Sequence, residues 1–379
     1  MAWILKTYTF KQYYSGAPIV VETVDQTSKL ISGKLVMTLD DTSKLTFSLP
    51  YQQGSVLYPL QTLCEVKWDN TTKFFGTLVK KTQKFPDNYF TFEATGVLGS
   101  YKFIPNNMSY ANNATLYDII NAEKNRFKGS TSMPSPWSEV YTGHSEIPST
   151  FGNLIIPYIG GSSTGLSCDL QNLQKTAKNS YEFLKAITQP DAYYFTSPPA
   201  RYDWHWSEDG TNAYFYATDT SAQQQVKYDE NLISCDISEV PFPTRVNCFS
   251  SSGGTLVTKE STKSVYPFGY PNPFYFLREQ MGTKDDGTAY TQQEVQNRVD
   301  ALLQQDRYVI DAVAFDKHVI DGVTTWFTMR SYVDLVLYVG AGETVTISTQ
   351  ITQITYDLTD SRKDRVRLGN VIKPLTERI

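Results

Sequence analysis

Histidine, cysteine and charge are all scarce in this chain. Of 379 residues, three are His (His144, His205, His318) and four are Cys (Cys64, Cys168, Cys235, Cys248), with no CxxC pair among them. The scatter excludes the Cys/His spacing of a structural zinc site, and it fits free thiols better than a disulfide framework. Charged residues make up 19%, below the usual ~25%, and no run of like charge forms a tail. With 34 Lys+Arg against 39 Asp+Glu the net charge is −5, so the chain lacks the basic footprint of a nucleic-acid binder. No apolar run approaches the ~20 residues that cross a bilayer. The apolar start before Lys6 is too short for a signal-peptide core, so the expectation is a protein made in the cytoplasm with no membrane anchor. Gly160-Gly161 and Gly253-Gly254 are followed neither by Gly-Lys-Ser/Thr nor by GxGxxG, and GxSxG and HExxH are missing. The sequons at Asn70, Asn107 and Asn113 carry little weight without secretion.

What is abundant is aromatic. Tyr (26) and Phe (20) lead a 14% aromatic share within 40% hydrophobic residues, a mix that suits strands and half-buried surfaces. The length suggests roughly two to three domains. Residues 1–105 read as a first small β-barrel of short strands. Lys34–Leu39 and Lys44–Leu49 flank the turn Asp40-Asp41-Thr42-Ser43, Thr62–Trp68 and Lys73–Lys80 flank a second turn, and Tyr89–Ala94 alternates apolar and polar. Residues 106–225 read as a mixed α/β insert. Its helices start at Thr115, with Asp118 in place of the capping-box Glu, and at Asn179. Its strands are Ala192–Thr196, Arg201–Trp206 and Ala213–Ala217. Residues 226–258 plus 331–379 read as a second β-barrel, and 259–330 as a small α+β insert. In the latter, Thr291-Gln292-Gln293-Glu294 caps a helix whose Val295, Val299, Leu302 and Leu303 form an apolar stripe. The expected class is mainly β with α+β inserts: two similar small β-barrels per chain, each accompanied by a mixed α/β domain.

Three constellations bear on chemistry. In Arg201-Tyr202-Asp203-Trp204-His205-Trp206, alternation puts Tyr202, Trp204 and Trp206 on one face and Arg201, Asp203 and His205 on the other. That arrangement is either an Asp-oriented His beside a sugar-stacking platform or one strand with an aromatic core face and a solvated face. The second reading is preferred, because no nucleophile is identifiable as a partner. The carboxylate pairs Asp40/Asp41, Glu208/Asp209 and Asp285/Asp286 all fall in expected turns, where Asp caps local backbone donors. Glycoside hydrolysis would need two carboxylates on rigid elements across a cleft, and Asp285-Asp286-Gly287 lacks EF-hand spacing. The glycine pairs form the third constellation and point to no phosphate site. No catalytic, cofactor-binding or metal-ligating residue is therefore nominated, and no enzymatic activity is expected.

The order of segments resembles the baseplate-hub, or tail-associated (Tal), family at the tail tip of long-tailed bacteriophages. The resemblance is carried by Val66-Lys67-Trp68-Asp69-Asn70, Phe74-Phe75-Gly76-Thr77-Leu78-Val79 and Phe90-Thr91-Phe92-Glu93-Ala94, which run into Gly96–Tyr101 and the Thr115–Phe127 helix. Further on it is carried by Asn179–Ile187 with Tyr193-Tyr194-Phe195, by Thr352–Leu358, and by Val366–Asn370. The resemblance implies a short structural hub without a C-terminal hydrolase or fibre domain. Such a hub is a homotrimer at the virion tail tip that docks on a hexameric distal tail protein. It also meets the tape-measure protein and receptor-binding proteins, and forms or closes a channel through which DNA is ejected without specific binding. The competing classes are a carbohydrate-binding or glycoside-hydrolysing protein acting on cell-wall polysaccharide and, more remotely, a metal-dependent hydrolase.

Overall fold

The structure is a computed structural model. It describes residues 3–11, 20–105, 116–128, 147–155, 177–187, 204–217, 219–228, 230–239, 245–250, 256–260, 276–281, 289–303, 308–315, 317–320, 323–327, 329, 331–340 and 343–369. The first β unit holds β1 (Trp3–Lys11), β2 (Val20–Asp25), β3 (Ser32–Thr38), β4 (Lys44–Pro50), the short α1 (Tyr51–Gly54), β5 (Thr62–Trp68), β6 (Thr71–Lys84) and β7 (Tyr89–Thr95). After it come α2 (Val97–Ser100), α3 (Leu116–Lys128), β8 (Asn153–Ile155), α4 (Ser180–Ala186), β9 (Trp204–Asp209) and β10 (Asn212–Ala217). The rest comprises β11 (Asp219–Lys227), β12 (Leu232–Glu239), β13 (Arg245–Ser250), β14 (Leu256–Glu260), β15 (Phe276–Met281) and α5 (Gln292–Leu303). It closes with β16 (Tyr308–Phe315), β17 (Lys317–Ile320), β18 (Val323–Trp326), β19 (Ser331–Gly340), β20 (Glu343–Asp357) and β21 (Arg365–Gly369).

The chain is mainly β with few helices. Thirteen strands form one sheet along the path β12-β16-β21-β20-β3-β4-β7-β6-β5-β1-β2, with β19 also on β20 and β11 on β19. Among the described residues this path does not close on itself. Where two separate barrels were expected, β20 pairs with β3, Gln353 facing Thr38 and Asp357 facing Lys34, and joins the halves edge to edge.

Within that sheet one strand order occurs twice. In the first half β3, β4, β7, β6 and β5 are neighbours, all antiparallel. In the second half β12, β16, β21, β20 and β19 repeat the order and sense. Each copy turns on one long strand. β6 gives its first half to β5 and its second to β7, with a bulge between Leu78 and Lys80. β20 divides itself between β19 and β21 in the same way, with a bulge between Ile351 and Gln353. Such bulges bend a strand so that it can serve two partners. The next strand out differs: β1 runs antiparallel to β5, whereas β11 runs parallel to β19.

Alternation explains the local structure. In β3 and β4, Leu35, Met37, Leu45, Phe47 and Leu49 are buried and the residues between them largely face out, the period-2 pattern of a strand with one dry face. Gly76 in β6 admits no side chain, because a Cβ there would sit 2.1 Å from the Thr95 carbonyl oxygen. The core of the large sheet runs through both halves, from Trp3, Phe47 and Phe92 to Val333, Ile351 and Leu368. A second core, with Phe75, Tyr101, Phe127, Phe183 and Trp206, lies under the helices and the β8-β10-β9 sheet. Arg245–Ser250, grouped by sequence with the second β unit, pairs instead with β14 and β15 under α5. The capping box of α5 forms as expected: Glu294 N donates to Thr291 Oγ1 (3.3 Å) and Thr291 N to Glu294 Oε2 (2.7 Å). Asn179 caps α4 by accepting from Glu182 N at 2.9 Å. No helix among the described residues is long and apolar enough to cross a membrane.

Candidate functional site

Two of the sequence constellations meet. The turn between β3 and β4 presses against β9, and the contact brings Asp40, Asp41, His205 and Glu208 to one junction. Asp40 sits at φ 57°, a left-handed turn conformation that Asp tolerates better than most residues. Its Oδ2 lies 2.7 Å from His205 Nδ1, and its Oδ1 accepts from Trp206 N at 2.9 Å. The Asp40 amide in turn donates to the Trp206 carbonyl at 2.9 Å. The turn thus adds a short piece of backbone pairing to the edge of β9.

His205 is not on a solvated face, as alternation alone suggested; it is 2% exposed, and Trp206 on the opposite side of the strand is 1% exposed. Strand β9 lies between two packed layers, so both of its faces are dry. Trp206 donates its indole N–H to the Leu184 carbonyl at 2.7 Å and packs on Phe215, with ring centroids 4.9 Å apart. Its ring is used in the core and presents no platform for a sugar. Arg201, Tyr202 and Asp203 lie outside the described residues, as does the side chain of Trp204.

Glu208 belongs to β9 and not to a turn; the reversal falls two residues later, at Gly210 with φ 62°. Its carboxylate is 5% exposed. It accepts from Ser43 N (2.7 Å), Leu98 N (2.6 Å) and Thr42 Oγ1 (3.2 Å). One side chain therefore ties the β3–β4 turn to the start of α2. Burial pushes the Glu208 carboxyl up to about 7, against the opposing pull of the Ser43, Leu98 and Thr42 donors. Asp41 behaves differently. Burial works to raise it, but Tyr181 hydroxyl, the Thr42 amide and the charges of Lys185 and Lys44 together hold its carboxyl below the usual range. Asp209 is exposed.

A His–Asp pair beside a buried acid has the elements of acid–base chemistry. Here their hydrogen bonds run to backbone and to neighbouring side chains, and both His205 and Glu208 are almost sealed from solvent. What the arrangement does is fasten: a polar clasp between the first β unit and the element that follows it. Sequence reading had the right residues but not their meeting, because Asp40 and His205 lie 165 positions apart. Asp285, Asp286, Gly160, Gly161, Gly253, Gly254, Cys168, His144, Asn107 and Asn113 fall outside the described residues, as does the side chain of His318. Cys64, Cys235 and Cys248 are free thiols. No group of three His, Cys, Asp or Glu among the described residues could hold a metal ion.

No protein-family model matches this sequence, and no curated protein matches it. Solved structures do. The 43 kDa tail protein of prophage MuSo2 from Shewanella oneidensis matches with a TM-score of 0.58 and 9% identity, covering 98% of both chains. A tail protein from Neisseria meningitidis MC58 matches with a TM-score of 0.59 and 9% identity, again over 98% of both chains. The prophage tail protein gp18 from Listeria monocytogenes EGD-e matches with a TM-score of 0.57 and 12% identity, over 98% of this chain and 95% of the other. The fold is that of phage tail proteins. At such identity the tail-protein likeness concerns the path of the backbone, not the residues of any site.

Proposed function

We propose that this chain is a structural component of a bacteriophage tail tip, a hub without enzymatic activity. The observation that carries the reading is the repeated five-strand order inside a tail-protein fold. Two copies of one β module let three chains present six similar units around an axis. A ring of that kind has the symmetry to dock on a hexameric distal tail protein, and closed rings of heterologous contacts terminate themselves. The ring would surround or close the channel for DNA, which an acidic chain lets pass without holding phosphates. Tape-measure and receptor-binding proteins are the further partners of this reading. The carbohydrate-active alternative rests on the aromatic faces around Trp204 and Trp206, and of these the Trp206 ring lies in the core. The test is mass measurement of the purified chain alone and mixed with the distal tail ring of the same phage. Three copies per six-membered ring is the expected result. A strict monomer that ignores the ring would sink the proposal.

A further inference from the structure

The two copies of the strand order are used unequally. Thr77 faces both Leu63 and Thr95, and Gln350 faces both Tyr332 and Gly369, so these two residues occupy the same place. Beyond the bulges Lys80 corresponds to Gln353, Lys84 to Asp357 and Phe85 to Leu358. Following the ladders through β4 and β16 equates Leu35 with Cys235 and Val36 with Asp236.

In the second copy the β20–β21 hairpin is docked. Gln353–Asp357 pair with β3, Tyr356 facing Leu35. At the tip, Leu358 N donates to the Gly33 carbonyl at 2.9 Å, and the Leu358 side chain, 8% exposed, lies over Gly33 and Leu30. In the first copy the corresponding β6–β7 hairpin projects. Among the described residues Lys80–Lys84 pair only with β7, and Phe85 at the tip is 76% exposed. The corresponding acceptor is also open: among the described residues β12 pairs only with β16. Beside β12 lies an apolar groove of about 360 Å³ lined by Tyr228, Leu232, Ile233, Cys235, Leu337 and Tyr338. Three of these, Tyr228, Ile233 and Tyr338, are 64%, 45% and 51% exposed. Exposed strand edges and apolar patches of this kind mark interaction surfaces.

We propose that the β6–β7 hairpin of one copy of this chain adds to β12 of a second copy, in the register by which β20 adds to β3 within the chain. The inference rests on the assembly reading above and supplies its joint. Gln83 then faces Cys235, Thr82 faces Asp236 and Lys84 faces Ser234, with Phe85 entering the groove as Leu358 covers Gly33. The charges agree. Lys84 and Lys80, the latter already paired with Glu93 at 2.7 Å, flank exposed Asp236 diagonally on one face, a spacing within reach of long side chains. The occupant is a second copy of this chain because the docking element, its template and its acceptor are all present in one sequence. A hairpin on one side and a groove on the other make a head-to-tail contact, which repeats around a ring.

The register supplies its own test. Directly opposed residues have Cα atoms about 4.5–5.5 Å apart, inside disulfide range. A Gln83→Cys chain under mild oxidation is therefore expected to give covalent multimers through the native Cys235. Adding Cys235→Ser, or moving the new thiol to Thr82→Cys, should abolish them. Phe85→Asp should weaken self-association roughly tenfold or more in light scattering while leaving the urea midpoint unchanged. A chain that assembles without the Gln83→Cys cross-link, or whose assembly ignores Phe85→Asp, overturns the joint but leaves the trimer reading standing. A cross-linked ring of another copy number overturns the trimer reading and leaves the joint. A chain monomeric up to about 100 μM and uncross-linked overturns the joint, and binding to the distal tail ring then judges the hub on its own.

Discussion

The two halves of the large sheet share an order of strands and little else. In the first half, Phe47 on β4 is fully buried and stacks on Phe92 with centroids 5.0 Å apart. The corresponding positions in the second half are Ala314 and Val366, also fully buried. The first half joins β3 to β4 by a five-residue connection, and that connection is gripped by β9. The second half opens the same connection to admit β13, β14, β15 and α5. The hairpin of one half is docked and that of the other is exposed. The pattern of backbone pairing thus persists while side chains, insertions and edges diverge. Ladder bonds depend on strand order and register, whereas core packing tolerates any set of apolar volumes that fills the space.

The largest effect should come from the core contrast. Phe47→Ala empties a large cavity next to Phe92 and is expected to cost about 3–5 kcal/mol, read as a lowered urea midpoint. A cost under ~1 kcal/mol would mean that the first half does not carry a tight core around Phe47.

Next is the clasp. Glu208→Ala leaves the Ser43 and Leu98 amides without their buried acceptor and is expected to cost about 2–3 kcal/mol. Glu208→Gln keeps an acceptor oxygen and removes the titration. Because the folded carboxyl is raised to about 7 from 4.5, the folded state holds a proton in that interval that the unfolded chain has released. The contribution of Glu208 is complete below pH 4.5 and is lost as pH rises to about 7, on the order of 3 kcal/mol. The wild type minus Glu208→Gln difference in stability should carry that slope, and a flat difference between pH 5 and 7.5 would refute it. Asp41 acts with the opposite sign: its lowered carboxyl stabilises above the ordinary carboxylate range and loses that contribution in acid.

The two hairpin tips give the next smaller contrast. Leu358→Ala, at a buried tip, should cost about 2 kcal/mol. Phe85→Ala, at an exposed tip, should change the stability of the single chain by less than ~0.5 kcal/mol. Equal effects at the two tips would mean that the Phe85 hairpin is already docked in the free chain.

Much of the fold was legible where alternation is clean. β3, β4, β5 and β7 and the capped helices α4 and α5 lie where their patterns put them, because each signal is carried by residues close in sequence. β11 was not legible: Asp219–Lys227 is almost entirely polar, with Val226 as its buried apolar anchor. It is a strand because β19 offers a ladder to pair with. The clasp was half legible. Asp40, Asp41, His205 and Glu208 stood out as residue types, but the exposure assigned to His205 and the turn assigned to Glu208 were wrong, since alternation cannot tell a strand covered on one face from one covered on both.

By itself, then, the sequence determined that this is a β-rich protein without a metal-ligand or phosphate motif, built from short hairpins with strong turns. Those properties reside in residue types and in spacings of two to four positions. Tertiary structure alone decided that one strand order is used twice, that Asp40 and Glu208 close a buried clasp, and that one hairpin is seated while its counterpart projects. These depend on which edges meet across more than a hundred residues, and local periodicity carries no information about that.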